Sequence, residues 1–215
     1  RDGSSRFIEN KYGVFPSGSL GWRLSKEKFM DNVSFINDLK LRASYGILGN
    51  NEVGGDYPGY SNFATSLGTA NYSINGSATS NTVGFEQTST GNPKLKWEKS
   101  AVTNIGIDAA LAGGWNVMVE WYNRLTTDMI YNVELPLELG AVGRQAQNIG
   151  SMKNTGVDFS LGYAKRVNKD FNFNVGISGS TIKNTVLKLE ANSNTFIRSG
   201  GSRIGDITYT KAGYP

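Results

Sequence analysis

Three carboxylates, Glu98, Asp108 and Glu120, with Asn104 and Arg124 beside them, are the residues of this chain best suited to chemistry. The chemistry they suggest is proton transfer between paired acids. They have little to work with, because the 215 residues contain neither histidine nor cysteine. Thiol chemistry, disulfide scaffolds, serine-histidine triads and most zinc sites therefore lack their usual parts. The run Asn51 to Asp56 supplies oxygens for a calcium loop but has neither the alternating ligands nor the closing glutamate that such a loop needs. No metal, cofactor or catalytic residue is expected, and the chain is not read as an enzyme.

The spacing of the polar residues explains them better. In steps of two, Ala101, Thr103, Ile105, Ile107, Ala109 and Leu111 fall on one face of a strand, and Ser100, Asn104, Gly106 and Asp108 on the other. After Ala112-Gly113-Gly114 the alternation resumes, with Trp115, Val117, Val119 and Trp121 against Asn116, Met118, Glu120, Tyr122 and Arg124. Two long alternating segments joined by a glycine turn predict a hairpin. Eleven alternating residues exceed an ordinary soluble strand and match the roughly nine to eleven that a tilted strand needs to cross a bilayer. The expectation is an all-β, antiparallel, up-and-down transmembrane barrel segment, apolar toward lipid and polar toward the lumen. Asn104, Asp108, Glu120, Arg124 and, on a later strand, Asp158 are the candidate lumen-facing polar residues, solvated or paired.

Average composition hides such a pattern. The hydrophobic fraction is 38%, the mean hydropathy is -0.35, and no run of eighteen apolar residues exists, yet barrel strands conceal their greasiness by alternation. The net charge of +4 is scattered, and Lys165, Arg166 and Lys169 read as a solvated turn, so no nucleic-acid partner is expected.

Along the chain, Arg1 to Phe7 reads as the top of a strand, Pro16 to Leu24 as a second strand, and Ser25 to Asp38 as a connector with a short helix. Leu39 to Ile47 alternates cleanly. Asn51 to Pro93 and Thr127 to Gln147 read as long loops, separated by the short turn of the hairpin. Asn148 to Tyr163 and Phe171 to Ser178 are strands about a short turn, Ala164 to Asp170, and a polar tail follows from Asn184. Long and short connections alternate, as they do between the two sides of an outer-membrane barrel. Trp22, Trp115, Tyr163 and Phe171 sit on apolar faces beside the short connections, where an interfacial aromatic girdle belongs. The chain starts at Arg1 and stops at Pro215 without the logic of a domain's ends, so it reads as a piece of a larger one.

Five runs, RDGSSRF (Arg1 to Phe7), FPSGSLGW (Phe15 to Trp22), LKLRASYGILGN (Leu39 to Asn50), NPKLKWE (Asn92 to Glu98) and NIGSMKNTGV (Asn148 to Val157), resemble the SusC/RagA type of TonB-dependent outer-membrane transporter, in that family's order. Lys94 stands where the family more often carries an acidic residue. The resemblance implies a plugged barrel of about 22 strands in the outer membrane of a Gram-negative bacterium, embedded in its lipid. It implies energy from the TonB complex through the plug, and a SusD-like surface lipoprotein that captures an oligosaccharide or peptide substrate. The whole chain, 1–215, is then part of one barrel domain from the carboxy-terminal half, with no plug, TonB box or closing strand recognised in it. The motif positions carry over as structural.

On this reading the protein imports a glycan fragment or peptide. Tyr57, Tyr60, Phe63 and Tyr72 of the longest loop are the candidates for touching substrate or lipoprotein, since flat rings stack with little entropy lost. The alternative is a secreted β-rich binding or adhesion module, which would have shorter strands and even connections.

Overall fold

In the computed structural model the chain is built almost wholly of antiparallel strands. The structure describes every residue except 56, 66–71, 74, 75, 77–81, 137, 139–143, 190–195, 203, 204 and 215. The described strands are β1 (Asp2–Gly3), β2 (Tyr12–Gly13), β3 (Ser17–Arg23), β4 (Ile36–Asn50), β5 (Asn62–Ala64), β6 (Glu86–Ser89), β7 (Glu98–Leu111), β8 (Trp115–Glu134), β9 (Arg144–Arg166), β10 (Asn172–Lys188), β11 (Phe196–Ser202) and β12 (Gly205–Lys211). By contact the chain forms two compact units. One comprises Arg1–Val14, Gly49–Glu98 and Asp128–Gly150, and the other Phe15–Leu48, Lys99–Thr127 and Ser151–Pro215.

A six-stranded sheet runs in the order β10-β9-β8-β7-β4-β3, and among the described residues no further strand pairs along β3 or β10, Val186 alone bonding to Gly213 and Tyr214. Its central ladder pairs Ala101 with Leu125, Ile105 with Trp121, Ile107 with Val119 and Leu111 with Trp115. A slip of one residue would turn every side chain over, so this register places the apolar residues together and puts Asp108, opposite Met118, on the other face. The same division holds at β3 and β4, where Leu20 meets Ala43 and Trp22 meets Leu41. It holds again at β9 and β10, where Leu161 meets Ile177 and Tyr163 meets Val175. This apolar face is not a core: Ile105, Ile107, Val119, Trp121, Val175 and Ile177 are 41–63% exposed. A large contiguous exposed apolar face calls for a non-aqueous neighbour.

Short connections close one end of the sheet. Gly113 and Gly114 have φ of +83° and +95°, where a side chain would be strained. A Cβ on Gly114 would also collide with the carbonyl oxygen of Ala164. The Ala164 amide instead donates to the Gly114 carbonyl at 2.8 Å, and the Ala112 amide to the Phe35 carbonyl at 2.8 Å. Beside these turns the rings of Trp115 and Tyr163 pack with centroids 4.6 Å apart, Tyr163 reaches Phe173 at 5.8 Å, and Trp22 donates to Glu27 at 2.9 Å.

Several local expectations change. The Ser25 to Asp38 connector makes two 3-10 turns, Leu24–Lys26 and Lys28–Met30, in place of the short helix. The Ser25 hydroxyl is not a cap: it donates to Asp38 at 2.6 Å. Much of Thr127 to Gln147 is strand, because β8 and β9 are 20 and 23 residues long. The polar tail contains the β11-β12 hairpin. Arg1 to Phe7 contributes only the two-residue ladder of β1 with β2. Strands of 14 to 23 residues from β7 to β10 are far longer than a soluble binding module uses.

The first unit has the tightest packing. Phe7 and Leu95 are fully buried, Val53 and Trp97 nearly so, and the rings of Phe7 and Trp97 lie 5.6 Å apart. Of these buried side chains, Phe7 belongs to the run RDGSSRF, and Leu95 and Trp97 to NPKLKWE. Amide side chains tie the backbone around them. Asn10 donates to the carbonyls of Lys94 and Leu95 at 3.2 Å each. Asn148 accepts from the Lys96 amide at 3.0 Å and donates to the carbonyls of Lys96 and Asp128 at 2.8 and 2.7 Å. Asp128, at φ +56°, also pairs with Lys96 at 2.9 Å.

With an exposed apolar face and edge strands β3 and β10, the 215-residue chain expressed alone in plain buffer will aggregate or pair edge to edge, and will disperse in detergent. Size-exclusion chromatography with light scattering checks this; a monodisperse, cooperatively melting monomer without detergent would contradict it.

Candidate functional site

On the polar face of the sheet, one guanidinium joins three neighbouring strands. Arg42 of β4 places Nε 3.2 Å from the Asp108 carboxylate of β7, and its Nη1 pairs with Glu120 of β8. To reach Glu120 the side chain must cross β7, and it crosses at Gly106, the residue directly opposite Glu120 in the ladder. A Cβ at 106 would lie 2.9 Å from Arg42 Nε and 3.0 Å from Cζ, so the guanidinium would have to shift to make room. The glycine is a notch for the arginine. Side-chain exposures of 33% for Arg42 and 18% for Glu120 place this pair below the fully solvated class of ion pair, whose contribution is close to nil.

Next to it, Asn104, Glu120, Tyr122, Arg124, Asn154 and Asp158 share a groove of about 420 Å³. A Cβ at Gly156 would collide with the Thr181 carbonyl oxygen and come within 2.6 Å of the Tyr122 phenol oxygen, so both groups close over this strand glycine. The Tyr122 carbonyl accepts from the Thr155 hydroxyl at 3.0 Å. The structure thus puts Asn104, Asp108, Glu120, Arg124 and Asp158 on the face away from the apolar residues, and brings all but Asp108 into one groove. Arg42 and Gly106 were not among the candidate site residues, although spacing already puts Gly106 on the polar face of its strand. Their signal is present only as parity, Arg42 alternating with Leu41 and Ala43, and becomes informative once β4 is known to lie beside β7.

The carboxylates do not make an acid-base pair. Asp108 and Glu120 share a cation between them, and Glu98, in the first unit, lies with Oε2 3.5 Å from the Ile130 amide nitrogen. The Asn51 to Asp56 run cannot be followed to its end, since Asp56 lies outside the described residues.

In the first unit, Tyr57 and Tyr60 are 63% and 59% exposed, and Phe63 and Tyr72 similarly so. Phe63 lies on β5, opposite Gln87 of β6, and Tyr72 forms an isolated bridge with Thr82. None of the four rings is used to fill the unit's core, which is made by Phe7, Val53, Leu95 and Trp97.

Comparison with known proteins gives the family and the fold. The family model described as TonB dependent receptor-like, beta-barrel, matches residues 1–213. The chain is 40% identical over 191 residues to TonB-dependent receptor P39 of Formosa agariphila, covering 88% of this chain and 17% of that protein. It is 33% identical over 205 residues to TonB-dependent receptor SusC of Bacteroides thetaiotaomicron, covering 93% and 20%. Among solved structures, the RagAB peptide importer in its closed-closed state superposes with a TM-score of 0.81 at 30% identity, covering 99% of this chain and 22% of that one. In the open-open state the values are 0.81, 31%, 98% and 21%. The chain therefore spans about a fifth of the length of these relatives.

Replacing Arg42 by Ala in the full-length protein leaves the Asp108 and Glu120 carboxylates without their shared cation and will lower barrel stability by about 1–2 kcal/mol. Gly106→Leu, which displaces the guanidinium, will reproduce most of that loss, and the two substitutions together will cost little more than either alone. Urea midpoints in detergent, read by heat-modifiable migration, measure the cycle; fully additive losses would show that the notch and the arginine act separately.

Proposed function

The chain belongs to the TonB-dependent receptor β-barrel family, and from that premise we propose that it forms wall and extracellular loops of an outer-membrane transporter that imports an oligosaccharide or peptide. Proteins of this family are outer-membrane receptors and transporters rather than enzymes. In this reading both compact units are parts of one barrel domain. The apolar face meets lipid, the face carrying Arg42, Asp108 and Glu120 meets the lumen, and the aromatic residues beside the short turns sit at the periplasmic interface. The TonB complex supplies the energy through the plug, and a SusD-like surface lipoprotein closes over the extracellular side.

The observation that carries the reading is the pairing of two unlike faces on one sheet, apolar and exposed on one side, polar and ion-paired on the other. A soluble protein would bury the first face. For the substrate, support comes from the segment Asn51 to Pro93. It has no lysine or arginine, three acidic residues, Glu52, Asp56 and Glu86, and otherwise mainly glycine, hydroxyl, amide, aromatic and small apolar side chains. Such a surface suits a neutral, hydrogen-bonding ligand and repels a polyanion. Tyr57, Tyr60, Phe63 and Tyr72 are the rings we assign to contact with substrate or lipoprotein. One relative is named a peptide importer, and the motif resemblance adds oligosaccharide, so these are the two classes to compare.

Tyr57→Ala with Tyr60→Ala in the full-length transporter will leave heat-modifiable migration unchanged. The same variant will lower uptake at sub-saturating substrate, or lipoprotein co-purification, about tenfold, the effect of losing roughly 1.4 kcal/mol of ring contact. Both at wild-type level, with the loop intact, would make these rings scaffold and place the contact elsewhere.

A further inference from the structure

The turn that carries Tyr57 and Tyr60 rests on a seat built from two other segments of the first unit. Within the turn, the Tyr60 amide donates to the Tyr57 carbonyl at 3.1 Å. Under it lies Gly91. A Cβ at position 91 would collide with the Tyr60 carbonyl carbon and lie 2.6 Å from the Gly59 oxygen, so the Gly59-Tyr60 peptide lies directly on the α-carbon of Gly91. No other residue fits there without lifting the turn. The contact is bolted on both sides: the Gly91 amide donates to the Ser61 hydroxyl at 3.1 Å, and the Asn92 amide to the Pro58 carbonyl at 3.0 Å.

Gly91 is held in turn from β9. Gln145 donates to the Gly91 carbonyl at 2.9 Å, and the adjacent Asn92 side chain donates to the Ala146 carbonyl at 2.9 Å. The Gln145 amide is itself oriented, because its oxygen accepts from Gln147 at 2.9 Å. That bond leaves the nitrogen facing Gly91. The order of support is therefore Gln147, Gln145, Gly91, and then the turn with its two exposed rings.

We propose that Gly91 and Gln145 are positioning residues for ligand contact: they fix the Tyr57 to Tyr60 turn in one pose before a ligand arrives, so that ordering the turn is not charged against binding. The proposal rests on the assignment of Tyr57 and Tyr60 as contact residues, and it adds residues that touch no ligand and act only through the turn.

The test uses the full-length transporter displayed on intact cells, with chymotrypsin as the probe. Chymotrypsin cleaves after Tyr60 but not after Tyr57, which precedes proline. The scissile segment must unfold locally to enter the protease, so the cleavage rate follows the open population of the turn. Gln145→Glu keeps the size of the side chain, removes the donor and sets a carboxylate against the Gly91 carbonyl. It will raise the initial cleavage rate at Tyr60-Ser61, quantified by mass spectrometry, by about tenfold or more. Gly91→Ala will do the same, with heat-modifiable migration of the barrel unchanged and cleavage after Phe85 within about twofold of wild type as an internal reference. A general structural defect would move all three readouts together and overturn the specific seat. Rates at Tyr60-Ser61 equal to wild type in both variants overturn the seat, whatever the rings do. Accelerated cleavage combined with normal uptake by Tyr57→Ala/Tyr60→Ala would keep the seat, remove the contact reading and overturn the positioning role with it.

Discussion

A strand in hydrocarbon has no water to satisfy its amide and carbonyl groups, so each must find its partner on the neighbouring strand. Most of what is seen in the sheet follows from that requirement. It forces long, unbroken ladders such as the thirteen paired positions from Lys99-Thr127 to Leu111-Trp115. Such ladders then impose a strict alternation of faces. One face is left to the surroundings, which explains the exposure of Ile105, Ile107 and Ile177; the other is free to carry charge, provided the charge is matched. Arg42 does the matching for Asp108 and Glu120.

Glycine recurs wherever another group must come close. At Gly114 the visitor is the Ala164 carbonyl, at Gly106 the Arg42 guanidinium, at Gly156 the Thr181 carbonyl together with the Tyr122 phenol, and at Gly91 the Gly59-Tyr60 peptide. Only the first of these four also has a positive φ. The other three are spatial needs: a missing side chain makes room for a group that arrives from a different strand or segment. A glycine count of 27 thus reflects crossings as well as turns.

The membrane-crossing part was legible in the sequence because one physical variable, alternate exposure to lipid, writes itself onto every second residue. The Ala101 to Leu125 hairpin shows this, down to its register. Where β8 and β9 continue past Thr127 and before Asn148, TTDMIYNVE has no alternation to read although it is strand. The Ser25 to Asp38 segment misled for a different reason: Phe29, Val33 and Ile36 have helical spacing, but Ser25 is engaged with Asp38 instead of capping. The polar face was legible as parity alone. That Arg42 binds Glu120 depends on β4 lying beside β7, an adjacency across the whole Asn51 to Pro93 segment, which local spacing does not encode. The motif runs RDGSSRF and NPKLKWE were recognisable as patterns, but their meaning, Phe7 packed on Trp97, is a tertiary fact.

The contact at Gly91 is made to main-chain atoms of residues 59 and 60, and its bolts reach the main chain of Pro58 and the hydroxyl of Ser61. Nothing in it depends on what side chain stands at 57 or 60. The scaffold and the surface it displays are therefore separable for mutation and selection. Aromatic, amide or aliphatic groups can be exchanged at those two positions while the frame beneath is inherited unchanged, which is how antibodies diversify a binding site on a constant framework, here with the variable element only a few residues long.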